Sequence, residues 1–317
     1  MLWDGTFINA VGTYVPPRVR GEGIGQYEFY DSDANYESMT KADIPGYAMA
    51  AIAATQAMKR SDHCNETLST IVYASTRLTT DHFTPVCHVE RILHQENALA
   101  FELDAASNGG LTGIEAVGRM LSSGRSLNSG LLVTLMSWQG YPRFHQSHLG
   151  GLLLGDGAAA AVISKKSGFA QLIASQRITL YDFEVLGQNR ATQPGVWDTD
   201  YFHVDFAPYV GIIPQVLETI ISTTLAEANV AIEDISHFCL PAFPIPLLQA
   251  LYLEQNRIPI EKTCWSELRK NGHVGPCDEL LGIAHLADTD QLKSGQFVLL
   301  AGGGMGFRLS CLLLQIV

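Results

Sequence analysis

Three residues stand out for the chemistry they would do together: a serine, a histidine and an aspartate. Ser107 follows the stretch FELDAA and precedes Asn108, Gly109 and Gly110, small residues that permit a tight strand-to-helix turn. Such a turn leaves backbone N–H groups open at the start of the amphipathic helix GLTGIEAVGRML and exposes a nucleophile beside the positive end of a helix dipole. A serine hydroxyl attacks an acyl group at neutral pH only with an adjacent base, and that base needs a third group to orient it. His273, in NGHVGPCD, is the candidate base, and Asp278, five residues on in the same loop and helix start, is the candidate orienter. Two plainer readings compete: Ser107 as a helix N-cap, and His273 with Asp278 as a surface pair.

What would bring positions so far apart together is a duplication. The helical pattern MAAIAATQAM (49–58) and the strand TIVYAST (70–76) match VLETIISTTL (216–225) and HFCLPAF (237–243), both displaced by 167 residues. The strand of SGLLVTLMS, from Leu131, matches that of SGQFVLLAG, from Phe297, displaced by 166. Repeated helix and strand patterns with apolar runs for strands predict two similar α/β halves. The expected division puts the nucleophile in an N-terminal half, 1–168, and His273, Asp278 and a glycine-rich loop in a C-terminal half, 169–317. An offset of 166 carries position 107 onto position 273. If the halves pack about a pseudo-twofold axis, these two turns meet beside it.

The chain of 317 residues, 47% hydrophobic and 16% charged, is long enough to bury a large core. Its net charge of −12, with 20 Lys and Arg spread without a basic stripe, argues against nucleic acid and leaves small molecules or proteins as partners. Cys64, Cys87, Cys239, Cys264, Cys277 and Cys311 show no C-x-x-C spacing, which suits free thiols in a reducing compartment. No leader and no long apolar run is visible, so the expected location is the cytoplasm, away from membranes.

DAASNGGLTGIEAVGRMLSSG, then GLLVTLMS, LLLGDGAAAAVISKK and LKSGQFVLLAGGGMGF, in that order, resemble the β-ketoacyl-acyl-carrier-protein synthase III group of the thiolase superfamily. The resemblance implies a thiolase fold of two duplicated α/β halves in a five-layered αβαβα arrangement, usually as a homodimer. It places Ser107 where that group carries a catalytic cysteine. It makes Gly304 an oxyanion donor together with the backbone N–H of Ser107, and Asp156 of GDGA a structural turn. Where the synthases carry a histidine this chain has Ala242, and where they carry an asparagine it has His273. Those two groups stabilise the enolate of a decarboxylating malonyl unit, so their replacement counts against decarboxylative condensation. The spacing of His273 and Asp278 resembles an acyltransferase branch from antibiotic pathways that uses a nucleophile, a histidine and an aspartate.

The leading expectation is thus an acyltransferase that passes an acyl group from a coenzyme A or acyl-carrier-protein thioester, through acyl-Ser107, to a hydroxyl or amine in a polyketide-type pathway. It needs no cofactor beyond the thioester. The alternatives are a carbon–carbon forming priming enzyme and an inactive partner subunit of a heterodimer. His203, in DYFHVDFAPY, is either a loop histidine or a second base facing Ser107. Carrier docking is in question, because Leu247 stands where the family has an arginine; Lys262, Arg269 and Lys270 offer a local basic edge. The glycines of GEGIGQY (21–27) read as a loop near the site mouth, not as a nucleotide motif. His145 with His148, and His82, Cys87, His88 and His94, do not form a closed ligand set, so no metal is expected.

Overall fold

Apolar runs and helical stripes alternate along the chain, and the runs assemble into one mixed sheet. The structure is a computed structural model and describes residues 1–19, 34–64, 66–76, 84–124, 128–139, 144–145 (backbone alone), 151–183 and 211–317. His82, His148, His203 and the 21–27 loop lie outside the described residues. The strands are β1 (Phe7–Tyr14), β2 (Arg18–Val19), β3 (Met39–Thr40), β4 (Thr70–Ser75), β5 (Leu99–Leu103), β6 (Ser129–Met136), β7 (Phe144–His145) and β8 (Leu152–Leu153). They continue with β9 (Gly157–Ser164), β10 (Ala170–Thr179), β11 (Ile235–Cys239), β12 (Phe297–Gly304) and β13 (Arg308–Ile316). The principal helices are α1 (Gly46–Arg60), α2 (Pro85–Leu93), α3 (Gly109–Ser122), α4 (Ile212–Ala228) and α5 (Asp278–Asp288).

Among the described residues nine strands form the sheet, in the order β11-β12-β13-β10-β1-β9-β6-β4-β5, while β2 with β3 and β7 with β8 make short ribbons. The order reads alike outward from its middle. β1 and β10 meet antiparallel at Phe7↔Gln171 and Ile8↔Ala170. Each is followed by an antiparallel neighbour, β9 or β13, then by another antiparallel strand, β6 or β12, then by a parallel one, β4 or β11. The first half adds β5 beyond β4.

Side chains alternate across a strand, so each half-sheet packs on both faces. Ile71, Tyr73, Leu131 and Val133 meet the Met49, Ala50, Ala53, Ala54 and Ala57 face of α1. Val72, Ala74 and Leu132 point the other way, onto α3 and α5, and Val298, Leu300, Leu312 and Leu314 meet the same two helices from the second half. Leu299, Ala301 and Leu313 pack under Leu217, Ile220 and Ile221 of α4. The layers are α1 with α2, half-sheet, α3 with α5, half-sheet, and α4. This is the duplicated five-layered α/β arrangement expected from the sequence.

The middle layer matters most for the site. Leu111, Ile114, Val117 and Leu121 recur at helical spacing and are 0–1% exposed. Burying each contributes about 1.5–3 kcal/mol, and Ile114→Ala should cost about 2–5 kcal/mol. Two helices are thereby held rigidly inside the sandwich, and the residues singled out for chemistry lie at their N-terminal ends.

Candidate active site

Between β5 and α3 the chain turns sharply. Ala106 adopts the left-handed conformation with φ 48°, uncommon for a residue with a Cβ and a place where strain is held by its surroundings. A 3₁₀ turn, Ala106–Asn108, leads into α3. The N-cap position of α3 is Asn108, and no side chain caps the helix; the Asn108 amide donates instead to Thr112 Oγ1 at 3.1 Å and to Ser310 Oγ on β13 at 2.9 Å. Ser107 is therefore not a helix cap. Its Oγ lies 3.0 Å from Nε2 of His273.

The GDGA segment positions that histidine. The His273 backbone N–H donates to the Leu153 carbonyl at 2.7 Å, and its carbonyl accepts from Gly155 N–H at 3.0 Å. Asp156, fully buried, accepts from Ala42 N–H at 2.8 Å and from Trp138 N–H at 2.7 Å. It thus anchors the loop that grips His273, in keeping with its reading as a structural turn.

Asp278 begins α5. Its Oδ2 lies 2.6 Å from His273 Nδ1 and also accepts from Ala242 N–H at 2.7 Å, while Oδ1 accepts from Val274 N–H at 2.8 Å. The Asp278 side chain is 1% exposed and that of His273 is 4% exposed. With Nδ1–H donated to the carboxylate, the lone pair of Nε2 faces the Ser107 hydroxyl. The pair is deep, and the serine, half-buried, is its outward end.

Ala242 connects the site to what the sequence comparison left open. At the position where the synthases carry a histidine, its backbone N–H holds Asp278 and its carbonyl accepts from Tyr36 Oη at 2.6 Å. The next ring, Phe243, lies 5.1 Å from the His273 imidazole, centroid to centroid. The wall of the site here is apolar.

Gly304 ends β12 against the turn that carries Ser107. A Cβ there would fall 2.7 Å from Ala105 O and Asn108 N and 3.0 Å from Ser107 N. Only glycine permits this approach. Cys277, next to Asp278, is fully buried and donates its thiol to the Gly157 carbonyl; burial, more than the neighbouring carboxylates, pushes its pKa up, so it is inert as a nucleophile.

Other singled-out residues lie apart from this cluster. His145 is on β7, paired through its backbone with Leu152. His88 packs edge-on against Tyr47, and His94 is the left-handed C-cap of α2. Among the described residues no three His, Cys, Asp or Glu are grouped to hold a metal ion. The cations of the basic edge are engaged within the chain: Lys262 with the Ile235 carbonyl, Arg269 with Asn35 and over the Trp265 ring, Lys270 with Glu267. Leu247 is buried. Cys64 and Cys87 are exposed and the other four cysteines buried, all as free thiols. No helix among the described residues is long and apolar enough to cross a membrane.

Sequence reasoning missed the backbone donors from Ala242 and Val274, the left-handed Ala106 and the clamp from Leu153 and Gly155. It also missed Glu279, fully buried beside Asp278, although a second carboxylate directly following Asp278 at a helix start was a signal open to notice.

The family 3-oxoacyl-(acyl-carrier-protein) synthase III, C-terminal, matches residues 225–316. Among curated relatives, the β-ketoacyl-(acyl-carrier-protein) synthase III of Clostridium kluyveri is 26% identical over 181 residues, 49% of this chain and 50% of the relative. The chain thus spans about half the length of the first curated relatives it matches. The solved structure of ChlB3, described as an acyltransferase, superposes with a TM-score of 0.87 at 26% identity, covering 98% of each chain. The 3-oxoacyl-(acyl-carrier-protein) synthase III of Aquifex aeolicus superposes with a TM-score of 0.82 at 19% identity, covering 98% of this chain and 99% of that one. The five layers, the glycine strand against the Ser107 turn and these likenesses together make this chain similar to the β-ketoacyl-acyl-carrier-protein synthase III proteins, with the family match itself confined to residues 225–316.

Proposed function

We propose that this protein is an acyltransferase that works through an acyl-Ser107 intermediate. The observation that carries the reading is the line of contacts from Ser107 Oγ to His273 Nε2, 3.0 Å, and from His273 Nδ1 to Asp278 Oδ2, 2.6 Å. Ser107 Oγ attacks the thioester carbonyl carbon as its proton passes to His273 Nε2. The backbone N–H groups of Ser107 and Gly304, with the N-terminal dipole of α3, receive the negative charge that grows on the carbonyl oxygen. As the tetrahedral intermediate collapses, the C–S bond breaks and the imidazolium returns its proton to the leaving thiolate. A hydroxyl or amine acceptor then gives its proton to His273 as it attacks the acyl-serine carbonyl carbon; the C–Oγ bond breaks and the imidazolium returns the proton to Ser107 Oγ.

Two features favour transfer to oxygen or nitrogen over condensation. Ala242 and Phe243 leave an apolar wall where an enolate would need a hydrogen-bond donor, and Asp278 makes His273 a base. ChlB3, described as an acyltransferase, is similar over nearly the whole chain. The donor is a coenzyme A or acyl-carrier-protein thioester, the acceptor a small molecule of a secondary-metabolite pathway, and the assembly a homodimer. A condensing reading draws on the curated relatives named synthase III; release of labelled carbon dioxide from a malonyl donor would favour it. His203 is the alternative base, to be tested by substitution.

Intact-protein mass spectrometry after incubation with a panel of acyl thioesters tests the proposal. It requires a mass increase with at least one donor that is lost in Ser107→Ala. No increase with any donor, or the same increase in the variant, refutes it.

A further inference from the structure

Glu279 follows Asp278 in the first turn of α5 and is 2% exposed. Its carboxyl lies in the seam between the two elements expected to supply the oxyanion donors. On β12, a Cβ at Gly302, two residues before Gly304, would fall 2.3 Å from Glu279 Oε1. On α3, a Cβ at Gly110, three residues after Ser107, would fall 3.9 Å from Glu279 Oε2. The carboxyl therefore fills the space that a side chain at 302 would take and touches the first turn of α3, where the Pro276 carbonyl, 2.4 Å from a Cβ at Gly110, is the closer neighbour. Oε2 has no hydrogen-bond partner among the described residues. Burying an unpartnered polar atom is unfavourable, a cost that an apolar side chain of similar size would avoid. A group kept at such a cost beside the nucleophile calls for a role.

The geometry points to Glu279 as a positioning residue: its carboxyl is a wedge that sets the spacing between the nucleophile turn and the glycine strand. This rests on the reading of Ser107 as an acyl acceptor. The wedge works as the neutral acid. Burial first, and the Asp278 carboxylate second, hold Glu279 well above the ordinary 4.5. The titratable groups that act on it or feel it are acids as well: Asp278 on α5, Cys277 in the preceding turn, Cys239 on β11 and Tyr252 in the helical turn 249–253. None of them offers a positive charge to favour the carboxylate. An anion at this point would compete for the field of the α3 and α5 N-termini that the oxyanion uses.

Single-turnover acylation by acetyl and malonyl N-acetylcysteamine thioesters, followed against pH in the native protein, E279Q and E279A, tests the wedge. E279Q has nearly the same size and is neutral at every pH. It should acylate close to the native rate with the native thioester KM, because it fills the same space. E279A should be slower by on the order of 10–10²-fold with the thioester KM little changed, because oxyanion support acts in the transition state. E279Q as slow as E279A, or E279A as fast as native, overturns the wedge. Should E279A not fold, E279Q decides alone: a rate close to native keeps the wedge, and a loss on the order of 10-fold or more in this isosteric variant overturns it. Failure of the native protein to acylate overturns instead the assignment of Ser107, and this inference with it.

Discussion

Among the described residues stand two serine–histidine–carboxylate sets, and they run in opposite directions. In the first, Ser107 is half-buried while His273 and Asp278 are deep, with Asp278 held by two backbone N–H groups as well as by the imidazole. In the second, Ser164 Oγ lies 2.8 Å from His63 Nε2, and His63 Nδ1 lies 2.8 Å from Glu66 Oε2. There Ser164 is 0% exposed and the Glu66 side chain is 39% exposed. The Ser164 hydroxyl also accepts the N–H groups of Lys166 and Ser167, closing the turn after β9. By distance alone the two sets are equals. What separates them is which end is buried: in the first the acid is anchored and the serine is the more accessible end, whereas the buried Ser164 spends its oxygen on backbone donors.

The comparison can be broken most sharply at the two histidines. His273→Asn should remove acyl transfer almost completely, because an amide does not accept the serine proton, whereas His63→Asn should leave the acylation rate constant unchanged; rates at neutral pH check both. Should His273→Asn acylate normally while His203→Ala does not, His203 is the base. Asp278→Asn should keep the fold, read by circular dichroism, yet slow acylation by on the order of 10²–10⁴, since an amide favours the wrong imidazole tautomer.

The second set should answer in stability. Ser164→Ala strands the buried His63 Nε2 and the Lys166 N–H, and urea unfolding should show a loss of about 1–3 kcal/mol with acylation unaltered. The smallest effect belongs to Glu66, whose pKa is lowered chiefly by its hydrogen bond to His63. A depressed carboxylate contributes stability above its unfolded value that is lost as pH falls through its folded value. Native and Glu66→Gln should therefore differ slightly in Tm at neutral pH and converge in acid. A difference that grows on acidification would mean that the bond is not what stabilises this turn.

Why one set was legible and the other was not follows from the chain. Positions 107 and 273 are related by the same displacement as the strands around them, so a repeat read in one dimension implied a meeting in three. Asp278 was within reach because a five-residue loop leaves little freedom. The duplicated fold was legible for the same reason, since its strands are continuous apolar runs buried on both faces. Ser164 and His63 share no repeat relation and no local motif. Their contact exists only because β9 ends beside the turn that follows α1. The donors from Ala242 and Val274 and the clamp of Leu153 and Gly155 are backbone groups, which carry no residue signature. Glu279 was hidden differently: a carboxylate in a helix's first turn reads as dipole compensation, and only packing shows it facing two glycines.

The most direct measurement of the central claim is to locate the acyl group. After incubation with a thioester that adds mass, proteolysis and tandem mass spectrometry should place the adduct on the peptide containing Ser107, with the peptide containing Ser164 unmodified. An adduct on Ser164 or on a cysteine, or one that persists at full stoichiometry in Ser107→Ala, would contradict the account.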